Sequence, residues 1–527
     1  MNKAKLVSLI MILSLCACTN NSSSSNKESS IINSTSTNTS EVSSESSSSS
    51  SIPNIPTKNI VDVDVNDLEF ELTEDESAYL ITKYKKYDTY IRLPETYNGK
   101  NIIGIKEGAF RFSGGVEDIT LPDTYTEFDQ LAFASCSSIK NYFVNDTHSK
   151  YKSVEGVLYS KDLSSLALYP LGRKDNYEVK DGTKKILKNA FNTANVIEVS
   201  IPESVEEIEE YAFYSAKRLK RINIPSKVKE IKESTFDTCS DLKYVTFSEG
   251  LEKTGYRAFW QCKNIIDLSF PSTLKIIGES SFEGCGGDKD VVLNEGLQEI
   301  GPFAFAYNEY IETITFPSTL KVIGEYAFMQ NYMVKDLILN EGLEEIKEGA
   351  FFYNCNLRKI HLPSSLHTIG FNCFVSSEHN SPNGIEEITV SEDSEYFTIE
   401  NKVLYSKDKK VLVYALISDA IEGGHFDVPS TVERIGDHAF YNVSSLRSIS
   451  LPKSLKEIGK APFYITSLNS ISYEGTKEEF KLIKKEVEVF GSQTSSETLE
   501  VYWYHTNEGR EVNVVTCSDG ELSTSEA

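Results

Sequence analysis

The residues with which this 527-residue chain could do chemistry are nine cysteines, seven histidines and 78 Asp and Glu. In an exported protein, cysteines invite disulfides or a thiolate metal site. Their spacing points elsewhere. Cys136, Cys239, Cys262 and Cys285 each follow a phenylalanine by three residues, and Cys355 follows Phe351 by four. A small, readily buried residue at one position of a repeat makes a packing ladder of free thiols. A Cys239–Cys262 or Cys262–Cys285 disulfide is the lesser alternative. No paired C-x-x-C with a His partner offers a zinc set. His148, His361, His367, His379, His425, His438 and His505 form no H-E-x-x-H and sit in no triad motif, and G-x-S-x-G, Walker and G-x-G-x-x-G loops are missing from the sequence. In a chain this acidic, Glu206/Glu207 and Glu344/Glu345 read as solvated faces, and no Asp-x-Asp-x-Asp loop argues for calcium. The residues thus single out no metal, no cofactor and no catalytic group, and the expectation is a protein that is not an enzyme.

The charge balance is 53 Lys and Arg against 78 Asp and Glu, a net −25. That argues against a nucleic-acid binder, which needs a basic face, and against a polybasic membrane-surface module as well. At the N-terminus, Lys3 and Lys5 precede the apolar run Leu6–Leu15 and then Cys16-Ala17-Cys18. A charged start, a short apolar stretch and small residues describe a secretory signal; the run is too short to span a bilayer. Residues 19–57 hold 17 serines among Asn and Thr, too little apolar surface to offset the entropy of ordering, so a flexible tether is expected there.

The dominant signal is a repeat. Phenylalanine recurs at Phe213, Phe236, Phe259, Phe282, Phe305, Phe328, Phe351 and Phe374, each 23 residues after the last. Phe191 precedes this series by 22. Phe110 and Phe133 are again 23 apart, as are Phe440 and Phe463. Such fixed self-similarity specifies a solenoid. Apolar residues stand six, nine and eleven positions after each Phe, as in Leu219/Ile222/Ile224; the last two share one face of a short strand. A turn follows, opened alternately by Pro225, Pro271, Pro317 and Pro363 and by Ser248, Asn294 and Asn340, so the underlying unit is a 46-residue pair. Gly250, Gly296 and Gly342 are expected to supply positive φ in the second kind of turn. A coil this short cannot bury its own apolar face, so coils must stack, with parallel strands about 4.8 Å apart building one continuous sheet and the thirteen phenylalanines, Phe110 through Phe463, forming an internal spine.

Segments such as Ile314-Thr-Phe-Pro-Ser-Thr-Leu-Lys-Val-Ile-Gly-Glu-Tyr-Ala-Phe328 resemble the BspA-like leucine-rich repeats of bacterial surface proteins. Val157-Leu-Tyr-Ser-Lys-Asp162, repeated as Val403-Leu-Tyr-Ser-Lys-Asp408, resembles that family's inserted β-hairpin and accounts for the two long Phe–Phe gaps. Pro94–Gly99 resembles its N-terminal cap, and Ser472–Thr476 with Cys517–Gly520 its C-terminal end. Thr235-Phe236 and Ser281-Phe282 depart from the usual Ala-Phe, and Met329 to Val334 lacks the usual Cys and Leu. Leu15-Cys-Ala-Cys18 resembles the bacterial lipobox, which implies lipidation of Cys18. The expected fold is a leucine-rich-repeat solenoid with a parallel β-sheet face, short turns or 3-10 segments on the other face, two inserted β-hairpins and terminal caps. Its parts are a signal peptide (1–17), a tether (18–57), an N-terminal β cap (58–100), the solenoid (101–473, insertions near 151–180 and 396–428) and a C-terminal cap and tail (474–527). In that cap Thr476-x-x-Glu479 is a capping box opening a helix with Phe480 and Ile483 inward, strands follow at Leu499–Tyr504 and Glu511–Cys517, and Ser518–Ala527 is expected to fray.

What remains for function is surface. Positions eight and ten after each Phe are expected to project from the sheet. The first column reads Asp118, Asn141, Arg221, Tyr244, Asp267, Asp290, Thr313, Asp336, Lys359 and Ser448; the second includes Asn223, Thr246, Ser269, Thr315 and His361. A polar, partly acidic ladder on a rigid sheet suits extended partner binding. The resemblance implies an exported, lipid-anchored, non-enzymatic adhesin for a host-matrix protein, another extracellular protein or a neighbouring cell surface. The alternative is a cell-envelope glycan-binding protein, or an accessory or enzyme subunit whose repeats hold the substrate.

Overall fold

The computed structural model describes residues 59–525 except 112, 288, 376–384, 416–420, 465, 492–497 and 502–511. The signal segment, the tether and Cys18 lie outside the described residues, as does the second half (502–504) of the strand expected at Leu499–Tyr504.

Where the stack is regular, each coil is held to the next along three lines of backbone hydrogen bonds, two of them parallel strand ladders. In one coil, the strand Arg221–Ile224 pairs with Tyr244–Phe247, and the two-residue strand Glu230–Ile231 with Lys253–Thr254. At the corner between them, the Phe213 N–H donates to the Thr235 carbonyl at 2.9 Å. The corner turns through two left-handed residues, such as Tyr211 and Ser215 (φ 59° and 55°), which recur two residues before and after the spine Phe of most coils. Gly250, Gly296 and Gly342 do take positive φ, from 106° to 122°.

The main face is not one continuous sheet. It is interrupted after Asn141–Val144 and Glu387–Val390 by the insertions, again between Tyr244–Phe247 and Asp290–Val292, and again between Thr313–Thr315 and Asp336–Ile338. The break after Tyr244–Phe247 has a local cause: Asp267 sits at φ 57°, outside the extended region, so its coil contributes only the isolated bridge Ser269↔Val292. The longer uninterrupted sheet is the other ladder, seven two-residue strands from Glu230–Ile231 to Thr368–Ile369.

All thirteen spine phenylalanines are at most 1% exposed. They do not, however, make the single spine expected from their spacing. Nine of them, from Phe191 to Phe374, stack at 4.6–6.0 Å between centroids. Phe133 is cut off from this column by the first insertion. It packs on Phe110 at 5.3 Å with the rings tilted by 40°, and its other neighbour is Tyr142 at 5.2 Å, not a further phenylalanine. Phe463 is likewise separated by the second insertion, and meets Phe440 at 5.7 Å with a tilt of 31°. Beyond Phe463 the aromatic packing passes to the cap, where Tyr473 and Phe480 meet edge-on at 5.1 Å. The buried apolar residues divide in the same way, with Phe133 and Phe463 in clusters separate from the central one. The reason is spatial: a ring stacks only where the next coil supplies another one strand spacing away, and each insertion interrupts that supply. Tyr84 and Tyr169 extend the segments, lying 5.2 Å from Phe110 and 4.7 Å from Phe191.

Each insertion is a three-stranded antiparallel meander: Tyr151–Val154, Val157–Ser160 and Ser165–Leu168 in the first, Phe397–Glu400, Val403–Ser406 and Val411–Tyr414 in the second. The third strand of each pairs parallel with the next short strand and so rejoins the solenoid. The Ser-Lys-Asp turns are built alike, with Ser160 Oγ donating to Asp162 and Ser406 Oγ to Asp408, both at 2.7 Å.

Inside the corner, the thiols of Cys136, Cys239, Cys262 and Cys285 are free and buried, and each donates to the carbonyl of the preceding spine Phe at 2.8–3.1 Å. From Phe282 onward an asparagine takes over: Asn308, Asn331 and Asn354 donate Nδ2 to Phe282, Phe305 and Phe328 at 2.9–3.1 Å. Cys355 stands one residue out of this column and is only half-buried. At the turns, Glu203, Glu249, Glu295 and Glu341 each accept from both the N–H and the hydroxyl of the Ser in the next coil's Pro-Ser turn, at 2.7–3.1 Å. These bonds recur every 46 residues, which is the physical basis of the paired repeat.

The caps cover both ends of the core. Leu68–Leu72 and Tyr79–Tyr84 form an antiparallel pair joined to Lys100–Ile105, with Ile81 and Ile102 buried. At the other end, the helix Lys477–Lys481 carries the expected capping box and buries Phe480; Ile483 is buried just beyond it. The tail does not fray from Ser518 on: Gly520–Ser523 pairs antiparallel with Val514–Cys517 and buries Leu522. Glu488–Gly491 and Thr498–Val501 form a two-stranded sheet of their own.

Candidate functional site

Alternation along the face strands decides which side chains meet water. In Arg221–Ile224, Ile222 and Ile224 are buried while Arg221 is exposed; Thr246, Asp267, Ser269, Asp290, Thr313, Thr315, Asp336 and Lys359 are likewise exposed. The Arg221 guanidinium lies 4.6 Å over the Tyr244 ring, fixing an amphipathic pair at one end of this row. Thr313 donates to Asp290, and Lys359 pairs with Glu387 at 3.3 Å. At the far end, His361 Nδ1 meets Thr389 Oγ1 at 2.9 Å.

Three ladder positions do other work. Asp118, expected on the surface, is only 6% exposed. Asn141 donates to its carboxylate at 2.7 Å, and Arg173 from the first insertion reaches Asn141 Oδ1 at 3.0 Å, closing this end of the face. Asn223 is half-buried because its amide is bonded on both sides to the Ile201 backbone, at 2.7 and 3.0 Å. Conversely, Val292 and Ile338 occupy the second column and are exposed, although an expectation built on polar residues passes over them. Their signal was the spacing itself.

The histidines among the described residues make packing and surface bonds; His379 and His505 lie outside them. His148 is buried; its Nδ1 accepts from the Lys150 and Tyr151 N–H groups and its Nε2 lies 3.1 Å from the Tyr125 carbonyl. Ser448, His425 and Asp427 come together, with His425 Nδ1 2.7 Å from Ser448 Oγ and Nε2 3.0 Å from Asp427 Oδ1. The Asp427 side chain is 78% exposed, so water screens the charge that would have to stabilise an imidazolium. Ser450 Oγ competes for the same nitrogen at 3.1 Å. The cluster is a surface hydrogen-bond network.

One buried acid lies off the face. Asp237, 3% exposed, has its carboxyl pushed up to about 6 by burial. The folded chain therefore holds this proton more tightly than the unfolded chain between about pH 4 and 6, and stability from this group rises as pH falls through that window. Asp237→Asn is expected to raise stability at pH 7 by about 1–2 kcal/mol and to change little at pH 4, read from urea midpoints at both pH values. An equal gain at both would show that charge burial is not the cause.

The profile of the BspA type leucine rich repeat region matches residues 86–170, 161–286, 252–381 and 420–501. The chain belongs to that family. BspA-type coils therefore account for most of the solenoid. No curated protein matches the sequence. Among solved structures, the chain is similar to a leucine-rich repeat protein from Bacteroides ovatus, at 19% identity over 79% of this chain and 96% of that one, TM-score 0.46. It is similar to a leucine rich cell surface protein from Faecalibacterium prausnitzii, at 19% identity, the same coverages and TM-score 0.37. The pneumococcal vaccine antigen PcpA is a third, at 16% identity over 88% of each chain, TM-score 0.28. Among the described residues no helix is long and apolar enough to cross a membrane.

Proposed function

We propose that this BspA-type protein is a non-enzymatic, adhesin-like binding protein of the bacterial cell surface, exported and held to the membrane by lipid on Cys18. The observation that carries the reading is the exposed row from Arg221, with the half-buried Tyr244 beside it, through Asp267, Asp290 and Asp336 to Lys359. The inward side chains of the same coils, such as Ile222, Val291 and Leu337, are committed to the core, leaving the outward row to meet a partner. The partner is an extracellular or host-matrix protein, or a protein of a neighbouring cell. The lipobox-like Leu15–Cys18 and the serine-rich stretch after it support an anchor followed by a spacer.

The test is capture by the full chain of matrix proteins and of cell-wall glycan, side by side. Saturable protein binding is expected, lost when Tyr244, Asp267 and Asp290 are changed to alanine together, with the chain released from membranes by Cys18→Ser. Glycan turnover without any protein capture would overturn the reading.

A further inference from the structure

We propose that the coils carrying Asp290–Val292, Thr313–Thr315 and Asp336–Ile338 dock a basic amphipathic helix of a partner protein, laid along the stack. This rests on the sheet face being the binding surface and names what that part of it takes. Residues two apart on a strand point to the same side, so the two outer strands each show a carboxylate and then a branched aliphatic chain. Val292 is 50% and Ile338 62% exposed, while Val291 and Leu337 between these pairs already fill the core. Neighbouring coils hold Thr246, Ser269, Thr315 and His361 at the same position, so the fold itself has no need of aliphatic side chains there.

The dimensions select the occupant. The strands of Val292 and Ile338 are two coils apart and lie on either side of the break after Thr313–Thr315, but the spine rings of these coils, Phe282, Phe305 and Phe328, follow one another at 5.4 and 5.3 Å. On that coil spacing Val292 and Ile338 lie about 10 Å apart, with Asp290 and Asp336 in a second row about 7 Å away along the strands. A helix repeats its i and i+7 side chains every ~10.5 Å and has a face wide enough to address both rows. An extended chain along the stack would address one row only. The sign of the helix follows from charge. Lys289 is held by Glu312 at 2.6 Å, and Lys359, the register partner of Asp336 on the next strand, by Glu387 at 3.3 Å, so each of these flanking lysines has a glutamate of its own and the row stays acidic on balance. Lys289 and Lys335 together face Asp290, Glu312 and Asp336, and Asp267 extends the acidic row by a coil. Where the chain turns into these strands, Tyr310 and Met333 add further exposed apolar surface.

The probe is a fourteen-residue peptide of leucine and lysine with the leucines on one helical face, titrated calorimetrically into the full chain, against a scrambled peptide of the same composition. Saturable one-to-one binding is expected, with helical circular dichroism gained on mixing. Val292→Lys with Ile338→Lys is expected to weaken it at least tenfold, and Asp290→Asn with Asp336→Asn several-fold. Unchanged thermal melts are the check on folding; if the lysine pair shifts the melt, Val292→Thr with Ile338→Thr replaces it, using residues found at that position in neighbouring coils. Equal binding of the scrambled peptide, or indifference to the Val292 and Ile338 changes, overturns the proposal. Loss of partner capture in the Tyr244, Asp267, Asp290 variant without peptide binding would sink the helix and leave the face standing. Peptide binding without any partner capture would do the reverse.

Discussion

Phe282→Ala is expected to lower the stability of the solenoid by about 3–5 kcal/mol, the largest loss for a single truncation in the chain. Phe282 is fully buried, stacked between Phe259 at 5.1 Å and Phe305 at 5.4 Å, and met edge-on by Phe270 at 5.4 Å. Removing the ring leaves a cavity whose walls are two other rings pinned by their own coils, so collapse cannot refill it. In a one-dimensional stack the damage begins locally. Hydrogen exchange is therefore expected to quicken first at the backbone amides of Phe259, Phe282 and Phe305 and only later towards the caps. A loss under about 1 kcal/mol, or exchange that quickens uniformly, would mean that the ring column is not what holds neighbouring coils together.

Asn331→Ala is expected to cost about 2–4 kcal/mol, and Asn331→Cys about half as much. The fully buried Asn331 donates to the Phe305 and Phe328 carbonyls at 3.1 and 3.0 Å and accepts the Asn308 N–H at 2.9 Å. Alanine strands these groups away from water, at about 1–3 kcal/mol for each polar group left unpaired. Cysteine restores the bond to the Phe305 carbonyl, since Cys262 makes the equivalent bond to Phe236 at 3.0 Å, but cannot accept the N–H as well. Urea midpoints of the two variants decide it; alanine and cysteine costing the same would show that volume, not hydrogen bonding, sets the residue at this position.

What could be read from the sequence was whatever repeats in residue type. The Phe positions, the thiol column, the Ser-Lys-Asp turns and the Thr476–Glu479 capping box are all written as identities at fixed offsets. Identity alone did not show that Phe133 and Phe463 belong to tilted pairs outside the central stack, because a ring's neighbour depends on where the insertions enter. The asparagine column was written at the same offset as the thiols, yet was hidden because Cys and Asn look unlike each other until the shared acceptor is seen. The left-handed corners carry no consistent residue signature: beside Gly108, Gly349, Asn189 and Asn372, which suit positive φ, Tyr211, Arg257, Phe303 and Tyr326 take it because the stack demands it. The break at Asp267 follows from the same kind of backbone demand. On the face, polarity alone misplaced Asp118, whose neighbour Asn141 is gripped by an arginine more than thirty residues on, and passed over Val292 and Ile338. A surface ladder is set by which way each residue points, and an insertion can roof it over.

The glutamate–serine bonds impose an arithmetic of parity on the protein's length. Each Glu turn grips the Ser turn that follows it, so excising a single coil would set glutamate beside glutamate or serine beside serine. Excising two would restore every grip. Variants that differ in size are then expected to do so by even numbers of coils, moving everything beyond the splice in strides of about 10 Å. A partner that touches two distant stretches of the face would experience such a family of lengths as a ruler with fixed graduations.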